Sequence, residues 1–179
     1  RPLYIFHPKL ANVAQGMDTA KKWVVLLAED DPDDQMFARR AMDRCGQTIQ
    51  LEVVQDGEQL MQYLKRQGPY AKPEEATRPD LVLLDLNMPR KSGREALREI
   101  KADPTFRRIP VVVMTTSAAH LDIADAYDHG TNAYVVKPLE YERLCAAMRA
   151  LGIFWFGTAK LPRTTSFPPA SNPPRSGIT

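Results

Sequence analysis

The sequence of 179 residues contains little cysteine and little histidine, with two and three residues respectively. Cys45 and Cys145 both fall at apolar positions of helical patterns, and neither has metal-ligand spacing around it. We therefore predict free core thiols at both positions, because cysteine is among the most often buried residues. The histidines are expected at the surface, since none of them pairs with a nucleophile in a recognisable catalytic motif.

Long hydrophobic runs and an excess of charge are also missing. The longest apolar runs, Trp23 to Ala28 and Leu81 to Leu84, are far shorter than the roughly 20 residues that a membrane span requires. Residues 1–20 lack the continuous apolar stretch of a signal peptide, so the cytoplasm is the expected location. The net charge of +2 includes no long basic run, and nucleic-acid binding gains no support. A composition of 44% hydrophobic and 26% charged residues is typical of globular proteins.

The length suits one domain of about 100 to 150 residues with tails. Residues 1–21 are expected to form an N-terminal extension, with Met17 as a candidate native start. Residues 22–152 carry the folded domain, and residues 153–162 form an aromatic extension. Residues 163–179 are rich in proline, serine and threonine, which predicts a flexible tail.

Short β-branched runs alternate with amphipathic segments from Lys22 onward, which predicts βα units around a parallel sheet. Several of the runs are apolar almost throughout, as strands buried on both faces are. The expected fold class is therefore α/β with a parallel sheet. Among such folds we expect a flavodoxin-like doubly wound (βα)5 domain, whose strand order is 2-1-3-4-5. The five predicted strands are Trp23 to Ala28, Gln50 to Val54, Leu81 to Leu84, Val111 to Met114 and Ala133 to Val136.

Each strand is followed by a predicted helix. The first helix should begin at Asp31-Pro32, because aspartate is a good N-cap and proline suits the first helical position, and it should end at Gly46. The stretch from Arg66 to Pro79 is rich in proline and should form an extended surface loop. The inner stripes of the five helices are expected at Phe37, Ala41 and Cys45; Leu60, Met61 and Leu64; Ala96, Leu97 and Ile100; Ile123, Ala126 and Tyr127; and Leu144, Cys145, Met148 and Leu151.

Polar residues follow the carboxyl ends of the strands, at the edge where doubly wound sheets bind ligands. Because the first and third strands are neighbours in this order, Glu29, Asp30 and Asp85 should crowd together. Three such carboxylates stay ionised at neutral pH if a cation neutralises them, and an all-oxygen site suits Mg²⁺. The sequence therefore predicts a divalent metal.

Two further residues at this edge could hold a phosphoryl group. Lys137 after the fifth strand supplies a mobile cation, and Thr115 after the fourth supplies a hydroxyl donor. The carboxylate left to attack phosphorus is Asp85, which is costly inside an apolar run unless it belongs to a site. On their own, Thr115 could simply end a strand and Tyr134 could be a packing residue. The acidic run from Glu29 to Asp34 could be merely the start of a helix.

Together these residues resemble the receiver domain of two-component response regulators over about Lys22 to Gly152. The resemblance implies that Asp85 accepts phosphate from a histidine kinase and that Asp30 and Asp85 bind Mg²⁺ directly. It also implies that Glu29 acts largely through water and that the backbone carbonyl of Asn87 completes the metal ligands. The residues that carry it are Glu29-Asp30, Asp85 within Leu-Leu-Asp-Leu-Asn-Met-Pro, Thr115, Tyr134 and Lys137-Pro138.

The resemblance also implies a switch. Lys137 would contact the phosphoryl group and Thr115 would swing toward it. Tyr134 would then change rotamer and report the event on the face formed by the fourth helix, fifth strand and fifth helix. A cis peptide bond is implied before Pro138.

The output is expected to be protein contact, because the residues after Gly152 are too few for an independent DNA-binding domain. The aromatic segment from Ile153 to Phe156 and the long loop resemble the small receivers that partner bacterial phytochrome kinases. A homodimer using Tyr141, Phe154 and Trp155 is therefore our hypothesis. The alternative is that Trp155 folds back on its own domain.

Three other functions stay open from the sequence. The first is a Mg²⁺-dependent phosphohydrolase of the haloacid-dehalogenase type, although such enzymes place a second aspartate where this chain has Asn87. The second is a receiver-like adaptor that binds partners without phosphorylation. The third is a piece of a hybrid kinase.

Overall fold

A computed structural model describes residues 22–44, 48–72 and 76–162 of the chain. The predictions for the N-terminal extension, for Cys45 and Gly46, and for the tail after Pro162 lie outside these residues. Cys145 is buried with a free thiol, as expected.

The described residues contain one sheet of five parallel strands in the order β2-β1-β3-β4-β5, which confirms the predicted fold class. Three strands have the predicted bounds, whereas β2 begins one residue earlier and β4 ends one residue later. The strands are β1 Trp23–Ala28, β2 Ile49–Val54, β3 Leu81–Leu84, β4 Val111–Thr115 and β5 Ala133–Val136.

Five α-helices of the described residues cover both faces of the sheet. Because side chains alternate along a strand, Val25 and Leu27 pack against α1 and α5, whereas Leu26 and Ala28 face α2 and α3. In the part of the chain that is described, no helix is long and apolar enough to cross a membrane. The helices are α1 Pro32–Asp43, α2 Gly57–Lys65, α3 Gly93–Ala102, α4 His120–Asp128 and α5 Tyr141–Gly152.

The start of α1 follows the sequence closely. Asp31 is the N-cap, and its side chain accepts hydrogen bonds from the backbone N–H groups of Asp33 and Asp34. Pro32 takes the first helical position, where a missing N–H has no cost. This cap sets the orientation in which α1 leaves the carboxyl end of β1.

Helix α4 differs from its prediction. It lies wholly within the described residues and buries only Ala126, whereas Tyr127 is 52% exposed and Ile123 is half-buried. The inner stripe predicted at Ile123, Ala126 and Tyr127 is therefore wrong at Tyr127. The physical reason is that α4 packs on the edge strand β5 and offers the core a single small side chain.

The segment after α5 continues as a π-helical turn, Ile153–Thr158. Trp155 and Phe156 are buried on the face of the sheet that α1 and α5 cover, and Phe156 stacks on Trp23 with ring centroids 4.9 Å apart. Trp155 thus folds back on its own domain. Phe154 is 52% exposed.

The loop between α2 and β3 is less extended than expected. It contains a 3-10 turn, Gly68–Tyr70, and its far end is tied to α2 by Tyr63. The Tyr63 hydroxyl donates to the carbonyl of Thr77 at 2.9 Å and accepts from the Thr77 N–H at 3.1 Å. Ala76 is buried beside them. Ala76 and Pro79 near its end therefore pack against the domain, whereas residues 67–69, 71 and 72 are exposed, as in a surface loop.

Candidate functional site

Three carboxylates meet at the carboxyl edge of the sheet. The register pairs Ala28 of β1 with Leu84 of β3, so the residues that follow these strands, Glu29 and Asp85, leave the sheet side by side. Glu29, Asp30 and Asp85 each offer an oxygen within 4.8 Å of the others. Glu29 and Asp85 are buried, and Asp30 is exposed. This arrangement of hard oxygen donors, open on one side, fits a divalent cation such as Mg²⁺.

Lys137 projects into the same cluster from the end of β5. Its ammonium nitrogen donates to Glu29 Oε2 at 2.5 Å, to Asp34 Oδ2 at 2.8 Å and to Asp85 Oδ2 at 2.9 Å. Burial alone would lower the pKa of Lys137, but the hydrogen bonds to these three carboxylates outweigh burial and raise it. The lysine is therefore a fixed positive charge within reach of Asp85.

One lysine does not balance the charge of the cluster. Burial raises the pKa of the Glu29 carboxyl to about 7, a rise that the hydrogen bond from Lys137 opposes and the charge of Asp85 assists. A bound divalent cation would favour the ionised form of the same carboxyl, because it would be the largest charge in the site. The electrostatics thus agree with the donor set in favouring a metal.

The loop after β3 positions the Asp85 carboxylate through a backbone hydrogen bond. The backbone N–H of Asn87 donates to Asp85 Oδ1 at 3.1 Å. Gly93 opens α3 so close to this loop that a Cβ there would lie 1.9 Å from the carbonyl oxygen of Asp85. Ser92 precedes it as the N-cap of a capping box with Glu95. Gly93 was not among the predicted site residues, although a glycine directly after a capping serine is the signal that could have indicated it.

Thr115 and Tyr134 lie beside the cluster on β4 and β5. Thr115 is fully buried, its carbonyl accepts from the Lys137 N–H at 2.7 Å, and its hydroxyl finds no partner among the described residues. The Tyr134 hydroxyl donates to the carbonyl of Ser117 at 3.0 Å, and its ring is half-buried. Thr115 thus lies at the predicted edge of the sheet, and the hydroxyl of Tyr134 reaches the loop that follows it.

The peptide bond before Pro138 is trans, since the described residues contain no cis bond. The cis bond that the resemblance implies is therefore not observed. The two isomers of a bond before proline differ by only about 0.5 to 1 kcal/mol, so local sequence does not determine which is present.

A second loop contact was not anticipated. Asp56 caps α2 and is fully buried, and it is paired with Arg90 of the loop after β3. The N–H of Gly57 also donates to the carbonyl of Lys91 at 2.9 Å. These contacts hold the loop that carries Asn87 against the start of α2. The Asp-Gly pair at the start of the helix is the signal that could have indicated them.

The three aromatics expected at a dimer contact differ in exposure. Trp155 is buried, Tyr141 is half-buried beside Phe37 with ring centroids 5.8 Å apart, and Phe154 is exposed. Other large apolar side chains are exposed on α4, on β5, just before α5 and just after it, namely Leu121, Tyr127, Val136, Leu139 and Ile153.

The geometry has counterparts in known proteins. A family profile described as the response regulator receiver domain matches residues 25–149. The chain is 38% identical to the response regulator Rcp1 of Synechocystis over 78% of its own length and 92% of that protein. A solved structure of Rcp1, described as its Mn²⁺-bound form, has a TM-score of 0.72 at 38% identity and covers 79% of this chain and 99% of that one.

Two further solved structures are similar to this chain. The phosphorylated cyanobacterial phytochrome response regulator RcpA has a TM-score of 0.75 at 40% identity, covering 80% of this chain and 100% of that one. The response regulator RPA3017, described in red light signalling of R. palustris, has a TM-score of 0.75 at 39% identity, covering 79% and 99%. With its parallel sheet and its acidic cluster beside Lys137, the chain belongs to the response regulator receiver family.

Proposed function

We propose that this response regulator carries its signal as a phosphoryl group on Asp85. A carboxylate oxygen of Asp85 forms a bond to phosphorus while the bond between phosphorus and the histidine nitrogen of a phosphorylated kinase breaks. The observation that supports this most directly is the buried Asp85 carboxylate, 2.9 Å from the ammonium of Lys137 and beside Glu29 and Asp30. We infer a signalling protein rather than an enzyme.

Mg²⁺ is the proposed cofactor. Asp30 and Asp85 would bind it directly, Glu29 largely through water, and the backbone carbonyl of Asn87 would complete the protein ligands. The three clustered carboxylates and the Mn²⁺-bound form of the relative Rcp1 support a divalent cation here. When bound, the metal neutralises charge on the transferring phosphoryl group.

The remaining roles fall to residues beside the cluster. Lys137 would hold one phosphoryl oxygen, and the Thr115 hydroxyl, which lacks a partner among the described residues, would donate to another. Tyr134 would change rotamer on phosphorylation, because its hydroxyl donates a hydrogen bond to the loop that follows Thr115.

The proposed partner is a histidine kinase of the bacterial phytochrome type, as suggested by the described roles of RcpA and RPA3017. The test is transfer of radiolabelled phosphate from an autophosphorylated kinase of this type to the parent, to Asp85→Asn and to Asp128→Asn. The parent and Asp128→Asn should take up label at the same rate, and Asp85→Asn should take up none. Equal labelling of the parent and both variants would contradict the role of Asp85.

We also propose a homodimer, with the receiver domain at residues 22–152 and the extension at 153–162 contributing to its contact. The apolar side chains that are exposed on α4, β5 and the extension support it. Such side chains are enriched in the cores of homodimer interfaces, where the partner buries them. Among the predicted aromatics, Phe154 is the exposed candidate. Tyr141 would contribute from the edge of the contact, and Trp155 would support it from within the domain.

A further inference from the structure

Helix α4 is joined to α3 by ion pairs. It buries only Ala126 among its fully described residues. On the side of α3, Arg94 pairs with Asp122 at 2.8 Å and Arg98 pairs with Asp125 at 3.1 Å. The two arginines are one helical turn apart and so face α4 together. Two ion pairs thus join α4 to α3 where α4 buries little apolar surface.

The two arginines differ in their second contact. The Nη1 group of Arg94 also donates to the side-chain oxygen of Asn87 at 3.3 Å, and the N–H of Asn87 in turn donates to Asp85. The Nε group of Arg98 donates instead to His129 of the α4 C-terminus at 3.0 Å. One guanidinium thus joins the Asp85 loop to α4, whereas the other joins α3 to α4 alone.

The contact continues from α4 to the switch tyrosine. Asp122 accepts a hydrogen bond from the Ser117 hydroxyl at 2.5 Å, and the carbonyl of Ser117 accepts the hydroxyl of Tyr134 at 3.0 Å. The bond from Ser117, followed by the bond from Arg94, lowers the pKa of Asp122. The Asp122 carboxylate is thereby kept charged between its two partners.

We propose that Arg94 is the positioning residue through which the state of Asp85 reaches α4 and Tyr134. The proposal rests on phosphorylation of Asp85. A phosphoryl group adds about 1.5 to 2 negative charges beside Asn87 and competes with Asp122 for the guanidinium. A guanidinium suits this exchange, because its fork of donors serves two acceptors at once, whereas an ammonium is a single compact charge. Once Arg94 releases Asp122, α4 can move, and Ser117, which donates to Asp122 and accepts from Tyr134, moves with it.

The test follows hydrogen exchange of the α4 amides before and after addition of acetyl phosphate with Mg²⁺, with intact mass measured on the same samples. The variants are Arg94→Met, Arg94→Lys and the matched control Arg98→Met, which removes the neighbouring ion pair. Without donor, both methionine variants should exchange about two- to fivefold faster at α4, the factor that a typical exposed ion pair provides.

The response to the donor separates the variants. Phosphorylation should speed exchange at α4 in the parent and in Arg98→Met, and should change it little in Arg94→Met. Arg94→Lys should keep the slow basal exchange of the parent and still lose most of the response. A full response in Arg94→Met, or its equal loss in Arg98→Met, would overturn the proposal. Absence of a mass adduct on the parent would instead contradict phosphorylation itself, on which the proposal rests.

Discussion

At Lys137, one ammonium group serves three carboxylates from three parts of the chain. Glu29 follows β1, Asp34 lies on α1 and Asp85 follows β3, and each accepts one N–H of the lysine. The lysine side chain is only 10% exposed, so water screens this charge poorly. Its removal leaves like charges facing one another.

We therefore expect Lys137→Ala to make stability depend on the metal. Without divalent ions the variant should melt below the parent, because its clustered carboxylates repel. Added Mg²⁺ should raise its Tm by more than it raises that of the parent, since a ligand stabilises the state that binds it. Thermal unfolding in EDTA and in Mg²⁺ measures this, with Lys160→Ala as an exposed control. An equal Mg²⁺ shift in all three proteins would contradict the account.

Gly93 is the second residue on which the site depends. A Cβ at this position would collide with the Asp85 carbonyl, so Gly93→Ala must displace the loop or the start of α3. We expect a loss of about 1 to 3 kcal/mol in the free energy of unfolding, typical of overpacking, together with slower phosphorylation of Asp85.

Ser92→Ala is the matched control, because it removes the cap of the same helix without adding an atom against Asp85. It should cost about 1 kcal/mol of stability and leave the phosphorylation rate near that of the parent. Urea unfolding and labelling with acetyl phosphate provide the two measurements. If Gly93→Ala is phosphorylated as fast as Ser92→Ala, the close approach of Gly93 to the Asp85 carbonyl does not matter for phosphorylation.

The sequence was sufficient to predict Glu29, Asp30, Asp85 and Lys137 at one edge, because each lies within two residues of the end of a predicted parallel strand. Asp34 was visible only as an acidic residue near a helix start. Its contact with Lys137 depends on the distance between α1 and the end of β5, which no local pattern contains.

At the scale of elements, strands were easier to predict than the contacts of helices. The apolar runs of β1 and β3 gave their bounds directly, since strands buried on both faces have no polar alternation to misread. Helix α4 was predicted to exist, but its inner face was not predicted correctly. Periodicity assumes apolar burial, whereas Asp122 and Asp125 anchor this helix through α3.

The cap of α1 allows a test at this scale. Asp31 accepts from the N–H groups of Asp33 at 2.8 Å and Asp34 at 3.1 Å. We expect Asp31→Ala to lower the free energy of unfolding by about 1 kcal/mol in urea unfolding, because two donors lose their acceptor. Asp43→Ala at the other end of α1 is the control, and it should not destabilise, since an acid there opposes the helix dipole. Equal losses in both variants would show that capping is not the cause.

At the scale of the whole molecule, the aromatic extension contains one buried and one exposed aromatic ring side by side. Trp155 is 9% exposed and belongs to the domain, whereas Phe154 is 52% exposed and available to a partner. The Ile-Phe-Trp-Phe run indicated an apolar cluster. The sequence does not show which ring points outward, because that depends on how the π-helical turn continues α5.

We expect Phe154→Ala to weaken self-association and to leave the stability of the domain nearly unchanged. Trp155→Ala should instead lower the free energy of unfolding by about 3 kcal/mol, as truncation of a buried aromatic does. Sedimentation velocity across a concentration series measures the first effect and urea unfolding the second. A Phe154→Ala protein that associates as strongly as the parent would remove this residue from the interface.

Phosphorylation of Asp85 with the help of a divalent cation is the proposal on which the other roles depend. Intact mass after incubation with acetyl phosphate tests it most directly, because no kinase has to be identified first. We expect one added phosphoryl group on the parent in Mg²⁺, none in EDTA and none on Asp85→Asn. An unmodified parent, under conditions that label another receiver domain, or a full adduct on Asp85→Asn would contradict the account.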